Sequence, residues 1–131
     1  MRGYPARMTK QILSTPSAPA ALGPYSVAVE ANGTVFFSGQ IALDPNGDPA
    51  GSTADQANQV MEQIGGLLSD VGLGYSDIVK ATIFLADMGD FAAVNEVYGG
   101  FFESEPPARS AVEVAALPRG VAVEIETIAA R

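Results

Sequence analysis

The sequence predicts an α+β domain, a mixed β-sheet with two helices packed on one face, in the order β-ββ-α-β-α-ββ. Three observations carry this. The chain has 131 residues, 47% of them hydrophobic and 17% charged, which suits one packed core rather than a disordered segment. Its apolar spacing switches between period two and the three-four spacing of a helix. An Asn-Gly pair, the strongest short hairpin signal, separates two alternating segments near the start.

The elements follow in order. Lys10-Gln11-Ile12-Leu13-Ser14 forms a short edge strand, and Thr15 to Pro24, rich in proline, is an ordered loop. Tyr25, Val27 and Val29 alternate with Ser26, Ala28 and Glu30. Asn32-Gly33 turns the chain and Thr34-Val35-Phe36-Phe37-Ser38 returns it. Gln40 to Gly51, with Pro45, Asn46, Gly47 and Pro49, is a loop. Ser52 then caps a helix with Asp55 in its first turn. Ala57, Val60, Met61, Ile64, Leu67, Leu68 and Val71 make one helical face, which Gly72 and Gly74 end. Val79 to Ala86, β-branched and aromatic, reads as a strand buried on both faces. Asp90 caps a second helix with the stripe Phe91, Val94, Val97 or Tyr98, and Phe101, stopped by Glu105-Pro106-Pro107. A second hairpin closes the domain: Arg109 to Ala115, a turn at Leu117-Pro118-Arg119-Gly120, and Val121 to Ala129. Residues 1–8 read as a loose N-terminal extension and residues 9–131 as one domain.

Alternation in that last hairpin places Val112 and Val114 under the helices with Val121, Val123 and Ile125. The other face then carries Arg109, Ala111, Glu113 and Ala115 beside Ala122, Glu124, Glu126 and Ile128. Two helices cover only one side of such a sheet, so this second face meets either water or another copy of the chain. Small alanines with isolated charges suit close approach of another sheet, with Arg109 and Glu124 near the seam; the competing reading is an ordinary exposed mixed-charge face.

Composition removes whole classes of chemistry. The chain has no cysteine, histidine or tryptophan, which excludes thiolate nucleophiles, disulfides, Cys or His zinc sites, iron–sulfur clusters and histidine acid–base catalysis. No metal site is expected, because the acids are scattered singly and form no regularly spaced loop. Seven basic against fifteen acidic residues give a formal net charge of -8, the wrong sign for a nucleic-acid partner. No apolar run reaches the roughly 20 residues of a membrane span, and the polar start lacks the apolar stretch of a signal peptide, so a cytoplasmic protein without membrane contact is expected. Among the basic residues only Arg109 begins an apolar strand, directly after the rigid Pro106-Pro107-Ala108. Its planar fork suits a carboxylate ligand; the alternative is an internal ion pair with one of the acids.

Seven short motifs occur in one order: Gly23-Pro24-Tyr25-Ser26, Ser38-Gly39-Gln40-Ile41, Val94-Asn95 with Tyr98 and Phe101-Phe102, Pro107-Ala108-Arg109-Ser110, Val112-Glu113-Val114-Ala115, Leu117-Pro118, and Val123-Glu124-Ile125-Glu126. Together, from about Thr9 to Arg131, they resemble the RidA (YjgF) family of imine and enamine deaminases. The resemblance implies a chorismate-mutase-like fold, a homotrimer with sites between subunits, and no cofactor. It implies hydrolysis of 2-imino or 2-enamino acids such as 2-aminoacrylate to 2-keto acids and ammonia. By the same resemblance Arg109 binds the substrate carboxylate, Glu124 serves the attacking water, Tyr25 lines the cleft, the Ser38-Gly39 backbone contacts the ligand, and Asn95 lies nearby. Ala111 stands where many members carry cysteine, and Val27 where glutamine is common.

Each of these positions has a structural alternative: core cover for Tyr25, a solvated strand position for Glu124, structural hydrogen bonding for Ser38 and Asn95. The Phe91, Phe101 and Phe102 cluster reads as helix packing. The rival functions are a non-catalytic binder of small carboxylate metabolites and, ranked last on charge, an RNA-cleaving protein.

Overall fold

The computed structural model describes residues 9–131, so the expected extension at 1–8 lies outside the described residues. Six strands form one sheet in the order β1-β2-β3-β6-β4-β5. In chain order they are β1 (Gln11–Ile12), β2 (Ala28–Ala31), β3 (Thr34–Gln40), β4 (Ile78–Leu85), β5 (Ala108–Glu113) and β6 (Val123–Ala130). Helix α1 (Thr53–Asp70) precedes β4, and α2 (Phe91–Gly99) joins β4 to β5. The element order is therefore the expected one.

Local chemistry explains the boundaries. Asn32 and Gly33 both take positive φ, 55° and 76°, as the tight β2–β3 turn requires. At the start of α1, Ser52 Oγ accepts from the Asp55 amide and Asp55 Oδ2 accepts from the Ser52 amide, both at 3.1 Å, a reciprocal capping box. At its end Gly72 turns to φ 78° while the Leu73 amide reaches back to the Leu68 carbonyl at 2.8 Å, the Schellman arrangement. The stripe of α1 then buries Val60, Met61, Ile64, Leu67 and Leu68 against Val35, Ile83, Val123 and Ile125 of the sheet.

Two expectations change. The last two strands do not form a hairpin: β4 lies between them, antiparallel to β6 and parallel to β5. Parallel neighbours need a long crossover, and α2 supplies it. Because β5 takes its register from β4, its faces are also the reverse of those expected. Arg109, Ala111 and Glu113 pair with Ala81, Ile83 and Leu85, whose side chains are buried beneath the helices. Arg109 and Ala111 thus share the helix side, and Val112 is exposed on the other. The apolar-inward rule fails because β5 is an edge strand, where Val112 meets no covering layer. On β6 the expected alternation holds, with Val123 and Ile125 inside and the alternate residues Glu124 and Glu126 pointing the other way.

The second helix also starts differently. Asp90 makes no capping bond; Asp87 accepts the Gly89 amide at 2.8 Å in a preceding 3₁₀ turn, and Asp90 Oδ2 accepts instead from Thr53 Oγ1 at 3.1 Å. The helix stops at Gly99, so Phe101 packs from just beyond it.

Candidate active site

The residues singled out in the sequence fall into two groups on opposite faces of the sheet. On the helix side at the β5 edge, Arg109 Nη1 donates to Asn95 Oδ1 of α2 at 2.7 Å. The guanidinium carbon lies 5.4 Å from the Phe91 ring centre and 5.2 Å from that of Tyr98, both within cation–π range. Among the described residues Arg109 makes no ion pair, and Asn95 is its one hydrogen-bond partner. The internal ion pair weighed as an alternative is therefore not what holds this side chain. Ala111, two residues along the same face, is half-buried against the core.

The second group lies on the open face, around a β-bulge in β3. The register with β6 shifts between Phe37 and Gln40, so Ser38 and Gly39 occupy the irregular stretch. The Glu124 carboxylate lies directly over Gly39: a Cβ there would sit against Glu124 Oε2 at a distance no real structure tolerates. Glycine here permits close approach of an acid to the backbone. Burial, and then the neighbouring Glu126 carboxylate, raise the pKa of Glu124 above the ordinary carboxylate value. Ser38 Oγ donates to the Ser26 carbonyl at 2.7 Å, which ties the bulge to the segment entering β2. Tyr25 stands in that segment, half-exposed, at the wall of a cleft of about 670 Å³ that Gly39 and Gln40 line together with Gln63 and Leu67 of α1, so this cleft reaches round to the helix side.

Within one chain the structure thus joins Gly39 with Glu124 and Arg109 with Asn95, but it does not bring the two groups together. The sequence places Phe91, and Tyr98 as the alternative to Val97, on the packing stripe of a helix, and gives neither a contact with Arg109, although both make one. The available signal was the spacing 91, 95, 98, which is one stripe of a helix. Among the described residues no helix is long and apolar enough to cross a membrane.

A two-helix-backed sheet that holds an unpaired arginine in an aromatic clasp, and a glutamate of raised pKa on its other face, is the frame of a small-molecule enzyme. The family model described as Endoribonuclease L-PSP matches residues 15–131. The 2-iminobutanoate/2-iminopropanoate deaminase of Mus musculus is 46% identical over 122 residues, 92% of this chain and 90% of that one. Among solved structures, RidA from an Antarctic Psychrobacter aligns with TM-score 0.85 and 43% identity over 92% of this chain and 99% of that one. E. coli TdcF with bound serine aligns with TM-score 0.84 and 42% identity, covering 92% of this chain and 98% of that one. The chain belongs to this family, the RidA (YjgF) group that its sequence motifs resemble.

Proposed function

We propose that the protein hydrolyses 2-imino and 2-enamino acids to 2-keto acids and ammonia, at sites completed between subunits of a homotrimer. The observation that carries this reading is Arg109: a guanidinium held in place, free of any acid among the described residues, in a chain of net charge -8. Such a group is suited to a small carboxylate ligand. Similarity to the mouse deaminase supports the imino-acid class, and the serine in TdcF supports an amino-acid-sized ligand.

The chemistry asks for little. An imine carbon is already electrophilic, so the site needs orientation, a placed water and proton transfer. Arg109 orients the carboxylate. A 2-enamino acid enters as its imine tautomer, C3 gaining a proton as the nitrogen loses one. The water oxygen then bonds to C2 while its proton passes to Glu124, the C=N π pair moves to nitrogen, and the nitrogen takes up protons from Glu124 and solvent. The C2–N bond then breaks, ammonia leaves, and the carbinol O–H yields its proton as C2 becomes the ketone. Burial, and then the Glu126 carboxylate, raise the pKa of Glu124, so its protonated form is easier to reach than that of an exposed carboxylate and it can return the proton it takes.

Arg109 and Glu124 project from opposite faces of one sheet, so a single small substrate reaches both only if they come from different subunits. The open face supports such assembly, since Phe36, Val79 and Val112 stand 46%, 48% and 41% exposed on or beside it. The test is complementation. Arg109→Ala and Glu124→Gln proteins, each strongly impaired alone, are expected to regain activity when unfolded and refolded together, measured as keto acid released from 2-aminoacrylate generated in situ. Mixtures as inactive as the separate variants exclude a shared site, and a wild type no faster than the buffer reaction excludes the hydrolase.

A further inference from the structure

We infer that one stripe of α2, formed by Phe91, Asn95 and Tyr98, is a positioning clamp that fixes the Arg109 guanidinium and leaves its remaining donors aimed outward for a planar carboxylate. The identity of the substrate rests on the hydrolase reading above; the clamp is a separate statement about Arg109.

The geometry is specific. Positions 91, 95 and 98 are four and three residues apart, so they fall on one line along the helix. Phe91 and Tyr98 place rings at 5.4 and 5.2 Å from the guanidinium carbon, and Asn95 Oδ1 accepts from Nη1 at 2.7 Å. Arginine has five N–H donors and no acceptor, so one bond to Asn95 leaves four. A free surface arginine samples many rotamers and loses that freedom when it grips a ligand; one already clasped loses less.

Tyr98 adds an independent observation. Its side chain is 4% exposed, and its hydroxyl is buried with no hydrogen-bond partner among the described residues. The ring also packs on Phe102, with centroids 4.9 Å apart and planes tilted by 48°, which helps hold its orientation against the cation. The clamp also has a reason to sit on α2: this helix is the crossover between β4 and β5, so it reaches the edge strand that carries Arg109.

Two measurements test this. The first is ligand-independent: nitrogen-15 relaxation at Arg109 Nε in wild type, Asn95→Ala and Phe91→Leu. The wild-type Nε is expected to be as ordered as the backbone, and both variants mobile. A wild-type Nε as mobile as that of an exposed arginine overturns the inference. The second is pyruvate binding by calorimetry, with KM and kcat for imine hydrolysis alongside. Asn95→Ala, at an exposed position, is expected to weaken binding and raise KM about tenfold with kcat changed less than about twofold. It is expected to add nothing in an Arg109→Ala background, because the two residues act as one unit. Unchanged binding and KM in Asn95→Ala, or an undiminished effect without Arg109, overturns the clamp. A wild type that binds pyruvate but hydrolyses no imine removes the hydrolase reading and leaves the clamp to be decided by relaxation and calorimetry.

Discussion

Two charged side chains of the candidate site are held by opposite means. Arg109 lies at a sheet edge and is fixed by what surrounds it: an amide oxygen at 2.7 Å and two aromatic faces. Glu124 lies in a central strand and is fixed by what is missing, the Cβ of Gly39. In the proposed reaction, the cation that grips the substrate carboxylate gains from preset direction. A carboxyl that must exchange protons gains from partial burial, which raises its pKa and keeps its neutral form accessible.

The largest effect should come from removing the grip. Arg109→Ala is expected to lower kcat/KM roughly 10³-fold, because a charged hydrogen-bonded anchor contributes about 4 kcal/mol to binding a carboxylate. Arg109→Lys should recover only part of this, since an ammonium lacks the planar fork. Full activity in Arg109→Lys would show that charge alone suffices and that the clasp is superfluous. Next, Glu124→Gln is expected to lower kcat about 10²-fold while KM changes little, the signature of lost proton transfer.

Gly39→Ala should act on the glutamate group alone. The backbone there tolerates alanine, so the added methyl group is expected to push the Glu124 carboxylate aside and lower kcat about tenfold. Pyruvate affinity should stay near wild type if the anchor is independent; a matching loss of affinity would break the separation between the two groups.

The smallest effect is on stability. The folded chain holds the Glu124 proton more tightly than the unfolded chain does, so the stabilisation from this group is complete at acid pH and disappears as pH rises through its raised pKa. Glutamine carries no such dependence. The melting temperature of Glu124→Gln should exceed that of wild type at about pH 8, with the difference closing below the ordinary value of 4.5. A constant difference across that range would mean that the carboxyl is not perturbed by burial.

How much of this was written locally in the chain follows from the same comparison. Helix α1 was legible to its caps, because Ser52, Asp55 and Gly72 interact within a few residues of one another. The β2–β3 hairpin was legible from Asn32-Gly33 for the same reason. The partner of β5 was not, since parallel pairing leaves no turn signature and depends on a crossover helix. Once β5 was paired with the wrong neighbour, Arg109 fell on the wrong face and its contacts with Phe91 and Tyr98 stayed hidden. Family motifs named Arg109, Glu124, Tyr25, Ser38, Gly39, Asn95 and Ala111 as a set. Only the fold separates them into an anchor with its holder on one side and an acid over a glycine on the other. Contacts such as Gly39 with Glu124 join positions far apart in sequence, and no local pattern announces them.

The strand order also bears on how the chain is made. Strand β6, the last in chain order, sits in the middle of the sheet and pairs on both sides, with β3 and with β4. On the ribosome, both halves must wait for it. The β2–β3 hairpin and the β4–α2–β5 unit emerge first with their inner edges unpaired, exposed to association with other nascent chains. Val123, Ile125, Thr127 and Ala129 close the core only once β6 itself has emerged. Folding of this domain is therefore expected to be a late, cooperative event driven by one C-terminal strand, not a stepwise accretion from the N-terminus.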